Sequence, residues 1–194
     1  MHRALLHCSF DEMYDEFQES VKEGRTSDVI AALARVWKDG NRIDPTADNN
    51  HAVRLAAWHG HVEVVRVLLE WVGVDGKQVD PTADNNFAVR WAASNGYVDV
   101  VRVLLAWVGV DGRRVDPTVL HNYAVWSAAT SGHVEVLRVL LAWVGVEGQR
   151  VDIEVARRAA KSPAVLALCN EAASIAAWWS PARVAWIIGV VASG

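Results

Sequence analysis

The sequence predicts an all-α solenoid of about five helix-turn-helix pairs, two of them caps, joined by extended fingers. Three observations carry this expectation. Gly24, Gly60, Gly96 and Gly132 recur at a spacing of 36 residues, and so do the Asp-Pro pairs opening at Asp44, Asp80 and Asp116. Trp71, Trp107 and Trp143 keep the same spacing. Residues 44–79 and 80–115 agree at 27 of 36 positions, and 116–151 diverges further while holding the frame. A fixed period of this size marks an array of supersecondary units, none of which buries its apolar face without a neighbour.

The totals fit that picture. Of 194 residues, 52% are hydrophobic and 22% charged, the balance of a folded soluble chain rather than a disordered one. A net charge of -4 supplies no basic field to recruit nucleic acid. Cys8 and Cys169 lie near opposite ends without framework spacing, which reads as reduced thiols in a cytoplasmic, intracellular protein.

Residues 1–8 read as a flexible leader, because their short apolar piece is broken by His7 and does not make a signal peptide. Residues 9–43 read as an N-terminal cap unit. Ser9 and Glu12 have capping-box spacing, and Phe10, Met13, Tyr14, Phe17 and Val21 form one apolar stripe. Asp11, Asp15, Glu16, Glu19 and Glu23 face the other way, read as the solvated side of a cap helix rather than as a lure for a basic partner. Thr26 to Lys38 is expected as the second helix of this degenerate unit.

Three full units follow, at 44–79, 80–115 and 116–151. In the first, Pro45 cannot lie inside a helix, and Asp48-Asn49-Asn50 is expected to cap the helix that carries Ala52-Val53-Arg54-Leu55-Ala56-Ala57. Gly60 ends it. A second helix, about Val62 to Val72, is apolar except for the stripe of Glu63, Arg66 and Glu70, so it is expected to be sandwiched between neighbours. Gly73-Val74-Asp75-Gly76 then turns into the finger.

These units resemble the ankyrin repeat. The likeness rests on Ala52 to Ala57, Gly60-His61, Val64-Val65 and Leu68-Leu69, and it recurs at Ala88 to Ala93 with Gly96-Tyr97 and at Ala124 to Ala129 with Gly132-His133. Arg54, Arg90 and Trp126 stand where the family has histidine, and the unit is about three residues longer than usual. The resemblance implies a structural turn contact for His61 and His133.

Residues 152–171 read as the C-terminal cap unit, in which Val155 to Ala160 echoes Ala52 to Ala57. Residues 172–194 read as an apolar helical tail with Trp178, Trp179, Trp186, Ile187 and Ile188. The run Val184 to Ala192 is shorter than the ~20 residues that a bilayer requires. A helix covering the last unit is expected over a membrane anchor, and a self-assembly surface is compatible with the same residues.

The edits between the first two units fall on one face of the first helix: His51 becomes Phe87, Leu55 Trp91, Trp58 Ser94 and His59 Asn95. The resemblance assigns that face, with the fingers, to the concave surface that grips partner proteins. The expected partner-binding residues are therefore His51, Leu55, Trp58, His59, Phe87, Trp91, Asn95, Tyr123 and Ser127, with Lys77, Arg113, Arg114 and Arg150 on the fingers. Aromatics suit anchoring, and the basic fingers imply an acidic stretch on the partner. Trp58 and Trp91 suit either the groove or the packing between first helices, whereas Trp71, Trp107 and Trp143, unchanged between units, are structural.

No ligand set for a metal, phosphate loop or nucleophile motif accompanies the histidines, serines and cysteines. No catalytic residue and no cofactor is expected. The expected function is a non-catalytic protein–protein interaction module that uses the concave groove. The alternative is a membrane-associated or self-assembling adaptor driven by the apolar C-terminal segment.

Overall fold

The computed structural model describes residues 10–36 and 40–178. The expected leader with Ser9 and residues 179–194 of the tail lie outside the described residues, whereas the second helix, expected to run to Lys38, stops at Ala34, where Arg35 turns to extended backbone. Among the described residues, ten helices stack in consecutive pairs: α1 (Phe10–Lys22) with α2 (Thr26–Ala34), α3 (Ala47–His59) with α4 (Val62–Glu70), α5 (Ala83–Ser94) with α6 (Val98–Ala106), α7 (Val119–Ser131) with α8 (Val134–Ala142), and α9 (Ile153–Ala159) with α10 (Pro163–Trp178).

Small residues decide how the pairs stack. Ala52, Val53, Ala56 and Ala57 of α3 are buried, and the same four positions in α5 and α7 read Ala, Val, Ala, Ala and are buried too. Short side chains let first helices approach one another more closely than second helices do, so the array curves toward the first-helix side. In the second helices Val64, Val65 and Leu68 and their counterparts fill the core, while Glu63, Arg66 and Glu70 stay exposed.

Each Gly-His position ties one unit to the last. The His61 ring lies against Gly24 and its Nε2–H donates to the Lys22 carbonyl at 2.7 Å. His133 repeats this over Gly96, donating to Ser94 O at 3.0 Å, and Tyr97 covers Gly60. The fingers are tight hairpin tips: the Gly73 amide donates to Lys77 O at 2.8 Å, and Val72 bridges Gln78. Trp71, Trp107 and Trp143 pack against the core and lie over Gly73, Gly109 and Gly145.

The caps differ from the internal units where a further unit would stack. In the frame of the repeat, Glu16, Ser20, Asp28 and Arg35 replace Ala52, Ala56, Val64 and Trp71, and they line a shallow cleft at the N-terminal end. Polar atoms thus close the apolar column there. At the other end Asp152 caps α9 through the Glu154 amide at 2.8 Å. The helix α10 runs unbroken through 171–172, so the first residues expected in the tail continue the cap helix. Among the described residues, no helix is long and apolar enough to cross a membrane.

Candidate functional site

The repeated Asp-Pro-Thr-Ala-Asp-Asn-Asn segment builds the edge of the first-helix surface. Asp44 Oδ1 accepts from the Thr46 amide at 2.9 Å and the Thr46 hydroxyl at 2.6 Å, an Asx turn that Asp80 and Asp116 repeat. Asp48, Asn49 and Asn50 then adopt left-handed backbone, with φ of 51°, 57° and 58°. Asp84 to Asn86 and Leu120 to Asn122 do the same. The expectation that Asp-Asn-Asn caps the helix is corrected here. These residues stand at the turn because Asp and Asn tolerate a conformation that disfavours most others by about 1–2 kcal/mol each.

Two contacts hold the left-handed turn. Asn50 Oδ1 accepts from the Asp80 amide of the next finger at 2.7 Å, as Asn86 does from Asp116 and Asn122 from Asp152, both at 2.9 Å. Arg54 donates from Nε to Asn49 O at 3.1 Å and from Nη2 to Asp48 O at 3.0 Å. Arg90 makes the same fork to Asn85 O at 2.9 Å and Asp84 O at 3.0 Å. Trp126 takes this position in the third unit.

Aromatic rings continue the surface across units. Trp58 lies 4.2 Å from Trp91 and 6.0 Å from Phe87, centroid to centroid, and Phe87 lies 5.6 Å from Trp91. The Arg54 guanidinium sits 5.3 Å from the Phe87 centroid, and that of Arg90 sits 5.7 Å from both Phe87 and Tyr123. Tyr123 stands 5.6 Å from Trp126. Trp58 and Trp126 remain 40% and 46% exposed, so the cluster is packed on itself yet open to solvent. Such rings offer large area that loses little freedom on binding, and the guanidiniums add charge over their faces.

The residues expected on this face divide. Trp58, Phe87, Trp91 and Tyr123 are brought together. His51 is half-buried with Nδ1 3.2 Å from Gln18 Oε1, and burial, helped by Arg54, holds its imidazole below the usual histidine range. Leu55 is half-buried against the core. His59 is half-buried and parallel to His61 at 6.0 Å. Asn95 is exposed and donates to Trp58 O at 3.2 Å.

Ser127 is a correction. It is 4% exposed and donates to Ala124 O at 3.1 Å, because its position faces the neighbouring first helix. Lys77 is paired with Asp44 and Asp75, and Arg113 with Asp80 and Asp111, so their charge is partly neutralised within the fingers. Arg114 and Arg150 are exposed and form no ion pair with a described residue. Arg54, Arg90 and Trp126 were not among the expected site residues. Comparing only the first two units hides this position, since both carry arginine there, and the third unit would have revealed it.

Among the described residues, no group of three or more His, Cys, Asp or Glu side chains is arranged to hold a metal ion. Among known families, the model for ankyrin repeats (3 copies) matches residues 17–118 and 55–154. No curated protein matches the chain.

Proposed function

The chain belongs to the ankyrin-repeat family, whose domains are non-catalytic scaffolds that generally bind proteins through a concave groove, and on that premise we propose that it grips a partner protein through the first-helix face of α3, α5 and α7. The observation that carries this reading is the half-open cluster of Trp58, Phe87, Trp91 and Tyr123 interleaved with Arg54 and Arg90. Folding alone does not require aromatic rings of this size at a surface. The homologous position to Trp58 is Ser94 in the next unit, which packs without them.

The partner's expected acidic stretch meets Arg114 and Arg150 more readily than the paired Lys77 and Arg113. Once a partner has been identified by affinity capture, Trp58→Ala and Trp126→Ala are expected to weaken its binding by about 2 kcal/mol each, some thirtyfold, in calorimetric titration. Circular dichroism melts of both variants should stay within a few degrees of the parent, since each ring is nearly half exposed and neither belongs to the buried core. Unchanged affinity in both variants would remove this face as the interface.

A further inference from the structure

Arg54 and Arg90 occupy the same place in consecutive units and fork to the same two carbonyls. Arg54 also reaches a carboxylate. Its Nη1 lies 3.5 Å from Asp84 Oδ2, the acid of the next unit's left-handed turn. One unit further on, the residue in register with Asp84 is Leu120. Arg90 therefore has no carboxylate partner among the described residues, although Phe87 and Tyr123 hold its guanidinium between them, each centroid 5.7 Å away.

Leu120 is the odd residue of the three turns. It sits at φ 52°, where an aspartate or asparagine would be less strained, and it is 50% exposed. Packing does not account for it. The exposed Trp126 stands in register with the arginines that cover this turn in the first two units, and its ring lies 5.6 Å from the half-buried Tyr123. The surface thus combines a pre-oriented cation lacking its acid with an apolar shelf where that acid would otherwise stand.

We propose that Arg90, Leu120 and Trp126 form the receptor for an Asp or Glu of the partner protein that is flanked by an apolar side chain. The partner's carboxylate takes the place that Asp84 takes against Arg54, and its apolar neighbour rests on Leu120 and Trp126. The two backbone bonds already fix the guanidinium, so little side-chain freedom is lost on binding. The aromatic rings on either side limit hydration of the ion pair and strengthen it. This inference rests on the first-helix face being the interface and names the chemistry that one part of it reads.

The test uses a random 12-residue peptide library displayed on phage and panned on the full chain, with Leu120→Asp as the critical variant. That substitution supplies Arg90 with an internal acid and relieves the backbone, so it should raise Tm by about 2–4 °C. Selected peptides should carry Asp or Glu next to Leu, Ile, Phe or Trp. They should bind L120D and R90Q about tenfold or more weakly than the parent chain. Binders without an acidic residue, or binders equally tight on L120D, overturn the proposal. Peptides that lose binding on W58A but keep it on L120D sink this inference and leave the first-helix interface standing. A library that yields no binder counts against both.

Discussion

Gly96→Ala is expected to lower the stability of the array by about 3 kcal/mol, or roughly 9 °C in Tm for a chain of this size. Two effects add. Gly96 has φ +81°, a conformation that disfavours alanine by about 1–2 kcal/mol. A Cβ there would also stand 2.7 Å from His133 Nδ1, so the imidazole must move and its hydrogen bond to Ser94 O is strained or lost. Gly76→Ala separates the two: it has nearly the same φ, +80°, but nothing lies within 4 Å of the added carbon. It should cost about 1 kcal/mol. Because Gly96 and His133 join adjacent units, Gly96→Ala should also broaden the melt or divide it in two, as neighbour coupling in a linear array weakens. Equal losses for the two alanines, measured by thermal and urea denaturation, would show that the Gly-His contact adds nothing to stacking.

Asn86→Ala is expected to cost about 2–4 kcal/mol. Asn86 is 8% exposed and its Oδ1 is the acceptor for the Asp116 amide at 2.9 Å, a bond between one unit and the next finger. Removing it leaves a backbone donor without a partner, a loss of about 1–3 kcal/mol. Alanine adds about 1 kcal/mol more at a φ of 56°. The control is Asn85→Ala, at φ 52° and exposed, where only the backbone preference changes. A difference in ΔG of unfolding near zero between these two variants would mean that the amide finds another partner and the side-chain lock is dispensable.

The fold was legible because the period of 36 repeats small buried residues, helix-ending glycines and finger tryptophans together, and stacking demands all three at once. The left-handed turn was not legible as such. Asp and Asn are favoured both at helix N-caps and in left-handed backbone, so Asp48-Asn49-Asn50 alone does not distinguish them. Only the side-chain partners do: Asn50 reaches the Asp80 amide, and Arg54 covers the turn's carbonyls.

The face of edits was partly legible for a related reason. A change between copies marks freedom from the shared scaffold, and that freedom arises at solvent and also at a compensated contact. Trp58 and Trp91 are such a pair, one from each unit, 4.2 Å apart. The positions in register one unit later hold Ser94 and Ser127, a small pair in place of a large one. Ser127 was thus expected at the groove because its position varies, yet it varies together with a neighbour and is buried. Trp58 serves both roles, packed against Trp91 and Phe87 yet still 40% exposed.

Hydrogen–deuterium exchange of the full chain, alone and saturated with a captured partner, tests the assignment of the interface most directly. Binding through the first helices predicts added protection in peptides spanning 51–59, 87–95 and 123–131, with the second helices at 62–70, 98–106 and 134–142 unchanged. Protection confined to the second helices, or to the ends of the array, would contradict it.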